Sequence, residues 1–156
     1  MHPRDVALAV VFLPKGGVEK GETSGQAAAR EANEEAGVPA ILAAGAISPL
    51  LVKHTLQHVP KNKRQEVWHA HAILLLEESE LLDEWDEAKD RKREWVTPRE
   101  AMERIREWAP LLDDVPAEPS DEDMKRGGIK KKAVKRFAME VCLAAFVEQY
   151  GWDKKV

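Results

Sequence analysis

Glu31, Glu34 and Glu35 are spaced i, i+3 and i+4, so on a helix their carboxylates share one face on adjacent turns. Like charges placed that way repel by about 0.2–0.5 kcal/mol per pair unless something positive lies among them. Oxygen-only ligands on a rigid element suit a hard divalent cation, Mg2+ or Mn2+. Ahead of them, Lys15, Gly16, Gly17 and Gly21 make a turn-rich loop whose backbone N–H groups can approach an anion, aided by the positive end of a following helix. Loop and acidic face together describe a phosphate ester held between backbone amides, a lysine and metal ions, the arrangement that metal-assisted hydrolysis of a phosphoanhydride requires. Arg30, adjacent to Glu31 and four residues before Glu34, is read as an orienting partner for the carboxylates rather than a substrate contact.

A helix must carry that face, and residues 24–36 predict one. They are rich in alanine and glutamate. Thr23 with Gln26 forms a candidate capping box, Gly37 is placed to end the helix, and Pro39 lies beyond. Ala28, Ala32 and Ala36 line the opposite side at four-residue spacing, small enough to let a sheet approach closely while the carboxylates point away.

The remaining elements are read from periodicity. Asp5 to Leu13 predicts a strand leading into the glycine loop, Ala40 to Val52 a weaker strand broken at Ser48-Pro49, and Val67 to Leu76 a largely buried strand. Lys53 to Arg64 reads as a basic loop and Glu94 to Val96 as a short strand. A helix is expected over Arg99 to Glu107 or a little further, after Pro98. The stretch 109–128, with three prolines and many acids, reads as a loop. An amphipathic helix follows over 129–150, with Ile129, Ala133, Phe137, Val141 and Ala144 or Ala145 as its apolar stripe. The whole chain, 1–156, reads as one domain without internal repeats.

Length and composition bound the function class. At 156 residues, 44% hydrophobic and 33% charged, the chain can bury one core. Cys142 is the only cysteine, which excludes an internal disulfide, and its apolar neighbours predict a buried small residue. The apolar runs are too short to span a membrane, and residues 1–14 lack the features of a signal peptide. The expectation is therefore a cytoplasmic or nuclear protein, not a secreted one. A net charge of −4 argues against bulk attraction to nucleic acid.

Gly16, Glu22, Arg30, Glu31, Glu34, Glu35 and Gly37 stand in the pattern G-x5-E-x7-R-E-aliphatic-x-E-E-x-G-aliphatic, which is the signature of the Nudix hydrolases. Seven specified positions of roughly one-in-fifteen frequency coincide by chance on the order of once in 10^8 windows, so the match is not accidental. Leu13 to Glu22, Glu80 to Trp85 and Arg91-Lys92-Arg93-Glu94-Trp95 further resemble the diphosphoinositol polyphosphate phosphohydrolases, the fungal branch in particular, over about residues 13–108. These enzymes also cleave diadenosine polyphosphates. The resemblance implies an α/β fold, the Nudix α/β/α sandwich with a mixed sheet, here lacking the first strands at the N-terminus.

It also implies roles. Glu31 and Glu35 would bind the metal, with Glu22 assisting a further ion, and Glu34 would accept the proton of the attacking water. Lys15, Gly16 and Gly17 would contact phosphate, and Arg91 matches an arginine that the subfamily uses on its substrate. The expected ligand is a small-molecule polyphosphate, handled by a monomer.

Substrate class turns on the basic residues, because an inositol pyrophosphate needs several Lys and Arg side chains converging on it. Lys61, Lys63, Arg64, Arg91 and Arg93 are the candidates, and the run from Lys125 to Arg136 is a further candidate patch weighed against a solvated helix face. Trp68 and Trp95 are read as core or sheet surface rather than a base-stacking platform, and His69 and His71 as structural or surface residues rather than zinc ligands. Hydrolysis of diphosphoinositol or diadenosine polyphosphates is the leading reading. A Nudix pyrophosphatase for other nucleoside diphosphate-linked compounds such as capped RNA is the alternative enzyme, and a non-catalytic polyphosphate-binding module the alternative of a different kind.

Overall fold

The computed structural model describes residues 16–40, 45–56, 65–73, 80–111, 114 and 128–152. The expected strand at Asp5 to Leu13 lies outside the described residues, as do Lys15, Lys61, Lys63 and Arg64.

Helix α1 spans Ser24–Ala36 and is bounded by its own sequence signals. The Thr23 hydroxyl accepts from Gln26 N, and the Gln26 side chain accepts from Thr23 N, so the capping box is reciprocal. Gly37 closes the helix in the left-handed conformation at φ 70°, a position that favours glycine. Ala27 and Ala32 are the buried residues of α1, and Ala32 packs with Val38, Ile73 and Leu81.

Strands β1 (Val52–Thr55) and β2 (Val67–Ala70) pair antiparallel, with Val52 opposite Ala70 and Thr55 opposite Val67. Ile47 bridges to Ile73 beyond the ladder. Three sequence expectations change here. Lys53, His54 and Thr55 belong to β1, not to a loop, while Ala40, Gly45 and Ala46 are helical rather than extended. β2 is not largely buried: Val67 and His69 are exposed and alternate with half-buried Trp68 and Ala70, as on a sheet with one wet face. Glu94 to Val96 forms no strand, although Val96 is buried in the core.

Helix α2 (Pro98–Trp108) begins with Pro at its first turn behind a second reciprocal capping box, Thr97 with Glu100. Helix α3 (Ile129–Tyr150) packs on both α2 and β1. The main core joins Val96, Met102, Ile105, Met139, Leu143 and Phe146.

The buried face of α3 follows the expected stripe at Ala133 and departs from it elsewhere. Val134, Ala138, Met139, Cys142 and Leu143 point inward, whereas Phe137 is 50% exposed. Arg136 also points inward, 8% exposed, and its Nη1 donates to Ala109 O at 2.5 Å. It is a structural tie between α3 and the end of α2, so it leaves the proposed basic patch. Among the described residues no helix is long and apolar enough to cross a membrane.

Candidate functional site

The capping box at Thr23 sets where α1 starts, and that start decides where its acidic face points. Gly16 and Gly17 then pass alongside the helix. Arg30 fastens this loop to α1: Nη2 donates to Gly17 O at 2.8 Å, and Nε and Nη2 reach the two Glu22 oxygens at 3.1 and 3.3 Å. Glu22 in turn accepts from Glu19 N at 2.9 Å, which closes the turn before the helix. The same guanidinium reaches Glu31 Oε1 at 2.5 Å and Glu34 Oε2 at 3.3 Å through Nη1. One arginine therefore gathers three of the four acidic residues of the motif. Hydrogen bonds to Glu22 and then Glu31 raise the Arg30 pKa. The bond from Arg30, seconded by Glu19 N–H, holds the Glu22 carboxyl below its usual range.

Glu31 lies directly against Gly16, in the space that a Cβ at that position would take. No side chain fits there without moving the carboxylate, which gives this glycine a steric reason independent of backbone freedom.

Glu35 is claimed by a second cation. Arg91 Nη2 donates to Glu35 Oε1 at 2.7 Å, and Arg91 Nε donates to Glu87. The hydrogen bond to Glu87 is the main reason that the Arg91 pKa is raised, with Glu35 adding charge attraction. Glu87 N also donates to Glu34 O at 3.2 Å, so the segment 86–91 is tied to α1 by main chain as well as side chain. The sequence reading missed Glu87. Its i, i+4 spacing to Arg91 was the available signal.

Gly16, Glu31, Glu35, Glu87 and Arg91 line one cavity of about 940 Å3, within the range of small-molecule sites. Trp68 and Trp95 also line it, and Trp68 packs against the core. His71 borders it as a structural tie, with Nε2 3.0 Å from Ser24 Oγ and Nδ1 3.1 Å from Ser48 O, pinning the start of α1 to the sheet. His69 is exposed.

Arg93 also lines the cavity, but its guanidinium is already engaged. Its Nη1 donates to Ala36 O and Leu82 O, and its guanidinium lies 4.1 Å from the Trp85 ring centroid. It is a tie at the end of α1 rather than a free phosphate contact.

The donor chemistry at α1 fits a hard divalent cation, since every candidate ligand is a carboxylate on one helix or its leading loop. In the present arrangement the positive charge comes instead from Arg30 and Arg91, and among the described residues no three acidic or histidine side chains enclose an ion-sized site. Glu34 is the most exposed of the four, at 39% against 10% for Glu35, and so faces water most freely.

Known proteins place the chain independently. It is 36% identical over 98 residues to Nudix hydrolase 4 of Arabidopsis thaliana, covering 63% of this chain and 43% of that protein. Against Nudix hydrolase 12, mitochondrial, of the same plant it is 39% identical over 100 residues, 63% of this chain and 48% of the other. Against the human diphosphoinositol polyphosphate phosphohydrolase 3-alpha it is 34% identical over 93 residues, 58% of this chain and 49% of that protein. The chain thus spans about half the length of the curated relatives it matches. No solved structure matches it significantly. The NUDIX domain profile matches residues 2–115, and the chain belongs to that family.

Proposed function

We propose that the chain is a metal-dependent phosphohydrolase that cleaves phosphoanhydride bonds in diphosphoinositol polyphosphates and diadenosine polyphosphates. The observation that carries the reading is the convergence of Glu31, Glu35, Gly16 and Arg91 on one cavity, with Glu34 on the wetter side of the same helix. Glu31 and Glu35 would hold Mg2+ or Mn2+, with Glu22 beside them. A bound ion there supplies Lewis-acid stabilisation and orients water. Glu34 would accept the proton of the attacking water. Arg91 exchanges a carboxylate for a substrate phosphate, a role for which its planar fork is suited. The named relative in human supports the inositol pyrophosphate reading.

The plant relatives, named only as Nudix hydrolases, keep a second reading open: a pyrophosphatase for other nucleoside diphosphate-linked compounds, with Trp68 and Trp95 at the cavity wall available to a base. Phosphate release from an inositol pyrophosphate and nucleotide release from diadenosine hexaphosphate and from capped RNA, each with and without Mg2+, decide between them. Mg2+-dependent turnover of either supports the proposal. Turnover of only capped RNA moves the assignment to the second reading, and tight polyphosphate binding without any turnover makes the chain a binding module.

A further inference from the structure

Arg93 holds the segment that carries Arg91 against the end of the catalytic helix. Both acceptors of its Nη1 are carbonyls: Ala36 O, in the last turn of α1, at 3.0 Å and Leu82 O at 2.7 Å. The last carbonyls of a helix have no partner within it and lie at the negative end of its dipole, so a cation donating there is doubly favoured. Trp85 supports the guanidinium from below, with its ring centroid 4.1 Å away. Gly37 makes room for the contact. A Cβ there would come within 2.8 Å of Arg93 Nη1 and 3.2 Å of Leu82 O, on a backbone already at φ 70°.

Two main-chain bonds continue the seam. Leu82 N donates to Gly37 O at 2.8 Å and Glu87 N to Glu34 O at 3.2 Å. The seam ends at Arg91 on Glu35. Hence the side chain that closes the seam lies two residues from the one that reaches the acidic face.

We propose that Arg93 is a positioning residue: by capping α1 and clasping Leu82 and Trp85, it fixes Arg91 and Glu87 relative to Glu34 and Glu35. This rests on the proposed hydrolase reading for its consequence in turnover, but the positioning itself can be read without turnover.

The first test is guanidinium NMR on the full 15N-labelled chain, with the Arg91 Nε–H signal identified by its loss in Arg91→Lys. In Arg93→Met the Arg91 signal should shift and its exchange with water rise about tenfold, while the Arg30 signal stays in place. An unchanged Arg91 signal in folded Arg93→Met overturns the proposal. Should that variant not fold, Arg93→Lys, which keeps a cation but loses the fork, carries the same comparison.

The second test is a double-mutant cycle on kcat/KM for diadenosine hexaphosphate with Mg2+. Arg93→Met should lose about tenfold, and adding it to Arg91→Ala should cost nothing further. Losses that simply multiply, tracking a fall in Tm, mean that Arg93 serves the fold alone and overturn the proposal. Absence of turnover in the wild type would count against the hydrolase reading and leave the NMR result to decide the role of Arg93.

Discussion

Arg91 and Glu35, 56 residues apart in sequence, meet at 2.7 Å, so a proposed substrate contact and a proposed metal ligand neutralise each other in this arrangement. A cation arriving at Glu35 competes with that pair.

Removing the competitor should therefore strengthen cation binding. The pair is partly exposed, 36% at Arg91, which limits its strength to about 1 kcal/mol. Arg91→Ala should bind Mn2+ about three- to tenfold more tightly than wild type by calorimetry, while losing affinity for polyphosphate. Weaker Mn2+ binding in the variant would mean that Arg91 and the cation do not compete for Glu35.

Gly16→Ala should act on the site and hardly on the fold. The added methyl occupies the place of the Glu31 carboxylate, and the residue is exposed in a loop. Turnover should fall about 10²-fold, as expected when a catalytic group is displaced by about 1 Å, with Tm nearly unchanged. Full activity in the variant would show that Glu31 can leave Gly16 without consequence.

Arg136→Met should do the reverse. Arg136 is buried and donates to Ala109 O, and Glu140 beside it keeps Arg106 as a partner at 2.7 Å. Urea unfolding should register a loss of about 1–3 kcal/mol, with hydrolysis intact at temperatures where the variant is folded. A variant as stable as wild type would remove Arg136 from the structural framework.

The two helix-bounded readings that succeeded did so because their signals are local. Thr23–Gln26, Gly37 and Pro98 each act within a few residues, and α1 begins and ends where the first two say. The face of α3 was not legible, because apolar residues stand on several of its sides and α2 and β1, both distant in sequence, select which ones are covered. For the same reason the tie made by Arg93 was not legible: its partners, Ala36 O, Leu82 O and the Trp85 ring, are brought to it by the fold. The acidic face was legible in spacing alone. That two arginines would fill its centre was legible for Arg30, which is adjacent in sequence, and not for Arg91.

Stability should fall on the acid side. Arg104 holds the Glu94 carboxyl below its usual range, and the Thr97 N–H does the same for Glu100. Depressed carboxyls contribute stability that is complete above the unfolded value of about 4.5 and is lost as pH falls through the lower folded values. Thermal unfolding between pH 7 and pH 3 should therefore show Tm dropping below about pH 4.5. Glu94→Gln with Glu100→Gln should flatten that drop, and an equally steep drop in the double variant would assign it to other carboxylates.

Manganese titration followed by electron paramagnetic resonance addresses the acidic face itself. Wild type should take up Mn2+ saturably, and a Glu31→Gln, Glu35→Gln double variant that keeps its circular dichroism spectrum should lose that uptake. No saturable binding in the wild type, or the same binding in the double variant, would contradict a cation held by α1.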